Sequence, residues 1–299
     1  MKNKTLFKGC ASALATPFDS NGIDVAAFIR LLDYSGSVDA LVVCGTTGES
    51  ATLTDNEKLD LLSLALDNSH LPIIFGSGSN DTEKAVSLSK KAAEFGASAL
   101  LVVTPYYNKT SDKGLVSHYF KIAEASTVPI IVYNVPSRTG VDISISVYDT
   151  LISHENICGV KEASGNILKI SRLIKLARDR AYIYSGSDEL NLPILMLGGD
   201  GIISVGSNLL PSAHAELCRL CFSGKYALAR ELADALAPLY DFLFCETNPI
   251  PLKYALSKLG ICQNLLRLPL VSIDASRADL YPEELIEKLK QYERTQGSV

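Results

Sequence analysis

The sequence has no run of Lys or Arg, no apolar stretch long enough to cross a bilayer, no second cysteine pair beside its one C-x-x-C, and no histidines at metal-ligand spacing. Each lack closes a class of function. A formal net charge of −5 without any basic run gives nucleic acid or an anionic membrane no electrostatic reason to bind. Small molecules are the expected partners. Met1 to Cys10 carry Lys2, Lys4 and Lys8 but not the apolar core of a secretory signal, so a cytoplasmic protein is expected. The 7 cysteines are odd in number and scattered, unlike the framework of a disulfide-stapled secreted domain. Cys218 and Cys221 form the C-x-x-C inside an apolar helical stretch and read as buried packing, while His70, His118, His154 and His214 stand singly. Metal-dependent chemistry is therefore not expected.

What is present is a chain of 299 residues, 47% hydrophobic and 20% charged, able to bury a large core. Short apolar runs bounded by Gly, Pro or Asp recur, with amphipathic helical segments between them. They predict strands at Ala11–Ala15, Asp39–Cys44, Pro72–Phe75, Ala99–Val103, Pro129–Tyr133, Ile157–Lys161, Tyr182–Ser185 and Gly201–Val205. A repeat of roughly thirty residues per strand and helix is the spacing of a TIM (β/α)8 barrel. Helix starts keep the register: Thr54 and Glu57 form a capping box, and Asp81 and Asp188 sit at expected N-caps. A doubly wound open sheet is the rival, weakened because no G-x-G-x-x-G follows the first strand, although Gly76-Ser77-Gly78 follows the third. Beyond about Ser223 the strands stop, and helices are expected near 225–243, 250–260 and 282–294. The division is a barrel over 1–224 and a C-terminal helical region over 225–299.

In such a barrel the chemistry lies where strands end. The sixth strand reads Ile157-Cys158-Gly159-Val160-Lys161-Glu162, so alternation turns either Lys161 or Glu162 inward. An amine held against apolar walls loses hydration, which favours the neutral form that attacks a ketone carbon. One βα unit earlier, Tyr133 ends a strand where its phenol can pass protons, and Arg138 follows in a loop bounded by Pro136 and Gly140. Gly45-Thr46-Thr47-Gly48-Glu49-Ser50 offers hydroxyls and amides for a small carboxylate, and Thr104-Pro105-Tyr106-Tyr107-Asn108 adds two phenols at the same rim. Each piece alone has a plainer reading: a solvated lysine, a packing tyrosine, a capped turn, or tyrosines touching a neighbouring subunit or loop.

Taken together, Gly45-Thr46-Thr47-Gly48-Glu49, Thr104-Pro105-Tyr106-Tyr107, Tyr133-Asn134-Val135-Pro136-Ser137-Arg138-Thr139-Gly140, Val160-Lys161-Glu162-Ala163-Ser164-Gly165 and Asn248-Pro249-Ile250-Pro251 resemble the dihydrodipicolinate synthase family, within the N-acetylneuraminate lyase superfamily. The resemblance runs from Gly9 to about Pro269. It implies condensation of pyruvate with aspartate 4-semialdehyde, without metal or organic cofactor, in lysine biosynthesis. Lys161 would form the Schiff base, with Tyr133, Thr46 and Tyr107 as a proton relay. Tyr107 would be donated across a dimer interface, so a homo-oligomer, a dimer or a dimer of dimers, is expected. Thr47 matches the contact to the pyruvate carboxylate and Arg138 that to the semialdehyde carboxylate, while Gly186 and Ile203 match backbone positions lining the site.

Other pyruvate aldolases of the superfamily, such as sialic-acid or 2-keto-3-deoxy-sugar-acid lyases, share the lysine and the tyrosine. Arg138 in Ser-Arg-Thr-Gly favours the synthase, and a silent binding homologue is disfavoured because every relay residue is present. Two departures bear on the second substrate: Ser187 stands in Ser185-Gly186-Ser187-Asp188 within a stretch where an acidic residue is frequent, and Val205-Gly206-Ser207-Asn208 is smaller than usual. A third bears on regulation. The family's lysine-inhibited members bind lysine at positions corresponding to Ser50, Ala51, Asp55, Lys58, Asn80, Lys84 and Tyr106. Positions 58 and 84 carry His and Glu in that pattern and are both Lys here, while Asp55 replaces a second His. The resemblance so read implies weak or absent inhibition by lysine.

Overall fold

Near-continuous apolar runs such as Ala40-Leu41-Val42-Val43 and Ile130-Ile131-Val132 suit strands covered on both faces. The computed structural model describes residues 6–290 and closes eight such strands into a parallel barrel. They are β1 (Gly9–Ala13), β2 (Ala40–Val43), β3 (Ile73–Gly76), β4 (Ala99–Val103), β5 (Ile130–Asn134), β6 (Ile157–Glu162), β7 (Tyr182–Ser185) and β8 (Gly201–Ser204), with β8 pairing back onto β1. Between successive strands lie α1 (Val25–Tyr34), α2 (Asp55–Asn68), α3 (Thr82–Phe95), α4 (Asp112–Ala125), α5 (Pro136–Thr139) with α6 (Ile145–Leu151), α7 (Ile167–Ala177) and α8 (Asn191–Met196). After β8 come α9 (Pro211–Phe222), α10 (Tyr226–Leu243), α11 (Ile250–Lys258), α12 (Ala275–Ala278) and α13 (Glu283–Leu289). The (β/α)8 barrel with added C-terminal helices is the architecture expected.

Alternation along the strands separates two cores. Ala11, Val42, Ile74, Leu101, Ile131 and Ile203 fill the barrel interior. Cys10, Leu41, Phe75, Val102, Val132 and Ile183 pack outward in one cluster with the helices, including Leu236 and Leu239 of α10 and Leu252 of α11. The Phe7 ring stacks on Tyr184 at 4.3 Å and the Phe7 carbonyl accepts from the Tyr184 hydroxyl at 2.7 Å, which closes the N-terminal end of the barrel. The cavity lined by Lys161 lies at the other end.

Local signals held in part. Thr54 and Glu57 form both halves of the capping box on α2, and the Asp81 carboxylate accepts from the amides of Glu83 and Lys84 at the start of α3; caps of this kind contribute about 1 kcal/mol each. Asp188 is not an N-cap. It is the first residue of a 3-10 turn, and its carboxylate accepts from the amides of Val205 at 3.0 Å and Gly206 at 2.8 Å, tying the end of β7 to the end of β8. The first strand is Gly9–Ala13 rather than Ala11–Ala15 because two glycines meet where it starts: a Cβ on Gly201 would lie 2.1 Å from the Gly9 carbonyl oxygen. Arg138 sits in the short helix α5 rather than in a loop, since Pro136 occupies its first turn and Gly140, at φ 69°, ends it. A hairpin of Phe18–Asp19 with Gly22–Ile23 has no counterpart in the expected elements. The readings of residues 1–5, and of 291–294 as the end of the last helix, lie outside the described residues. Among the described residues no helix is long and apolar enough to cross a membrane.

Candidate active site

Lys161 is the residue of β6 that points inward. Its Cα pairs with Tyr133 of β5 on one side and Tyr184 of β7 on the other, and the residue is only 6% exposed. The amine lies 4.4 Å from the centroid of the Tyr133 ring, against the electron-rich face. Gly186 makes room for it: a Cβ there would fall 3.0 Å from both Cγ and Cε of Lys161. A side chain at position 186 would press on the very methylenes that aim the amine.

The next residue, Glu162, turns outward and is fully buried, so its charge must be met inside the protein. Asn134 donates to Oε1 and Oε2 at 3.0 and 3.2 Å, the Tyr148 hydroxyl donates at 2.5 Å, the Ser164 amide donates at 2.7 Å, and the Lys169 ammonium stands 3.5 Å away. Burial and the neighbouring carboxylate push the Tyr148 phenol well above its ordinary range, so it remains a donor. Four bonds and an ion pair on Glu162 thus fix the backbone from which Lys161 springs. Alternation in the sequence announces one inward and one outward residue at the end of β6, but the side-chain partners of the outward one come from three other segments and leave no local signal.

Around the amine a cavity of about 310 Å³ is lined by Lys161, Tyr133, Thr46, Thr47, Arg138 and Gly186, together with Asp188 and Asn248. Thr47 is buried and its hydroxyl accepts from the Asn248 side-chain amide at 3.1 Å. The Asn248 carbonyl in turn accepts from Arg138 Nη2 at 2.9 Å, so one residue of the C-terminal region holds both the threonine turn and the arginine. Asp188 and Asn248 were not among the expected site residues; the first read as a helix cap and the second only as part of a Pro-rich motif.

Two expected residues do not line this wall. Ile203 points into the barrel core, and Tyr107, at φ 69°, carries a side chain 92% exposed. Next to the first cavity is a second of about 490 Å³, which shares Thr46, Arg138 and Asn248 with it. Ser50, Ala51, Asp55, Lys58, Asn80, Lys84 and Tyr106 all line that second cavity.

A (β/α)8 barrel with a buried lysine amine in its C-terminal mouth has the architecture of a class I aldolase. The chain matches the model of the Dihydrodipicolinate synthetase family over residues 6–288, and it belongs to that family. It is 44% identical to the 4-hydroxy-tetrahydrodipicolinate synthase of Methanococcoides burtonii over 279 residues, which is 92% of this chain and 96% of that one. Among solved structures it resembles the dihydrodipicolinate synthase of Aquifex aeolicus, with TM-score 0.90, 40% identity, and coverage of 96% of this chain and 98% of that one. It also resembles the enzyme of Cyanidioschyzon merolae solved with lysine bound, with TM-score 0.87, 34% identity, and coverage of 97% and 99%.

Proposed function

We propose that this chain condenses pyruvate with L-aspartate 4-semialdehyde to 4-hydroxy-tetrahydrodipicolinate, as the names of its relatives indicate for them. The observation that carries the reading is the placement of the Lys161 amine over Tyr133, in one cavity with Thr46, Thr47 and Arg138. The amine adds to the keto carbon of pyruvate, and loss of water gives an iminium that acts as an electron sink. The pyruvate methyl then loses a proton to give an enamine, whose carbon attacks the aldehyde of the second substrate and turns it into a hydroxyl; the amino group of that substrate then adds to the re-formed iminium carbon and displaces the Lys161 amine, which closes the ring and frees the lysine. Tyr133 serves the proton transfers at the carbinolamine, with Thr46 and a Tyr107 supplied by a second copy completing the relay. Thr47 holds the pyruvate carboxylate, and the guanidinium of Arg138 holds the carboxylate of the semialdehyde.

Holding both reactants in one cavity turns an encounter in solution into a positioned step. The reading places the protein in the cytoplasm, as a homo-oligomer, in a pathway that makes lysine and diaminopimelate. Borohydride added with pyruvate should inactivate the protein and leave one reduced adduct, mapped by mass to Lys161. An adduct on a different lysine, or activity kept by Lys161→Ala, would remove the centre of the mechanism.

A further inference from the structure

The turn that carries Thr46 and Thr47 is held by charges buried behind it. Glu49 ends the turn at φ 53°, a left-handed conformation that a non-glycine residue keeps only when its surroundings enforce it. Its side chain is 1% exposed and that of Lys253, in α11, is 0% exposed. The Lys253 ammonium stands 3.2 Å from Glu49 Oε1, a buried oxygen whose nearest counter-charge among the described residues is this cation. The same ammonium donates to the Thr16 carbonyl at 2.5 Å and lies 4.4 Å from the Phe18 ring centroid. Thr16 returns to the turn by donating its hydroxyl to the Gly48 carbonyl at 2.7 Å, and the Arg267 amide donates to Glu49 Oε2 at 3.0 Å.

A buried ion pair is weak support for stability, because well-packed apolar residues do as well or better, but it fixes geometry wherever several groups converge on one ion. Here a single ammonium joins the residue that ends the turn to the segment after β1 that grips it. We propose that Lys253 is a positioning residue for the reaction: acting through Glu49 and Thr16, it sets the Gly45–Glu49 turn so that Thr46 and Thr47 face the Lys161 cavity. The inference rests on the reading of Thr47 as the contact to the pyruvate carboxylate.

The test measures how much pyruvate half-saturates borohydride trapping, with the adduct mapped to Lys161, in the full-length protein. Lys253→Met strands the carboxylate and Glu49→Gln strands the ammonium, so the informative variant is Lys253→Met with Glu49→Gln, which removes both charges; Glu49→Gln alone keeps the shape of the side chain and leaves Lys253 its bond to the Thr16 carbonyl. The double variant should melt within a few degrees of the parent yet need about tenfold more pyruvate, Glu49→Gln alone about threefold more, and adding Thr47→Val should give little beyond what Thr47→Val gives by itself, the non-additivity of residues acting through one contact. A merely structural pair would lower the melting temperature and leave pyruvate loading alone. If Thr47→Val weakens loading while the charge variants do not, the positioning role is wrong and the reading of Thr47 stands. If Thr47→Val loads pyruvate like the parent, that reading fails and this inference fails with it.

Discussion

Arg138 shows at residue scale how much function depends on contacts a sequence does not display. The residue is exposed and lines the catalytic cavity, and its guanidinium spends one N–H on the Asn248 carbonyl at 2.9 Å, leaving the rest of the fork for an incoming carboxylate. Removing it should strike the second substrate and spare the first. Arg138→Ala is expected to cut condensation by about a hundredfold or more, the loss of charge-assisted bonds worth roughly 1.5–3 kcal/mol each, with borohydride trapping of pyruvate almost unchanged. Equal affinity for the semialdehyde in parent and variant would show that the carboxylate is held elsewhere. Lys161, Tyr133 and Thr47 are legible in the sequence because strand ends in a barrel are where chemistry lies. Asn248 is not, because what makes it matter is a bond to a residue 201 positions away.

Among elements, the strands were readable from the chain because each is a short apolar run, covered on both faces, between residues that break structure. The first strand was misplaced by two residues, since a glycine at a strand start looks like a boundary until its close-packed partner, Gly201, is known. Three of the C-terminal helices were visible as helices and the short α12 was not, nor was what the segment does: it reaches back to the starts of other elements. Arg267 binds Glu57 at the first turn of α2 and lies over the Phe18 ring at 4.6 Å. The Arg267 hydrogen bond, aided by those from Thr54, holds the Glu57 carboxyl down to about 2 from 4.5 despite partial burial. A depressed carboxyl stabilises the fold fully above its unfolded value and loses that contribution as pH falls toward its folded value, here from 4.5 to about 2. Glu57→Gln keeps an acceptor for the capping box, so its cost should be about 1 kcal/mol near neutral pH, after allowing for solvent screening, and shrink as pH drops. Urea unfolding of both proteins near pH 7 and near pH 3.5 checks this; a gap that does not narrow in acid would assign the cost to something other than the ion pair.

For the whole molecule, the open question at the mouth of the barrel is what a second copy adds. Tyr107 stands 92% exposed and outside the lining of the Lys161 cavity of its own chain, so with its proposed role in a neighbour's cavity a lone chain would lack one relay member. Mixing Tyr107→Phe with Lys161→Ala subunits, each inactive alone, should then restore activity by pairing intact residues across the interface. Failure after verified subunit exchange would confine the relay to one chain. The second cavity raises the matching question of control. Lys58 in its wall is half-buried and already faces Asp55 at 3.7 Å, so the exposed carboxylate there is partly engaged, and Glu49, which also lines the cavity, is buried against Lys253. Lys84 adds a further cation on the exposed side, beside Arg138 in the same lining. An ammonium held about 4 Å from either lysine would meet repulsion of roughly 4 kcal/mol at an effective dielectric near 20, less for Lys84, which can swing into water. Even half of that from Lys58 alone removes more than tenfold in affinity, since each factor of ten is about 1.4 kcal/mol. L-Lysine at several millimolar is therefore expected to leave the initial rate unchanged at subsaturating pyruvate, and Lys58→His with Lys84→Glu to bring inhibition in. Half-inhibition of the parent below about 1 mM would mean that Asp55 outweighs both lysines in this cavity.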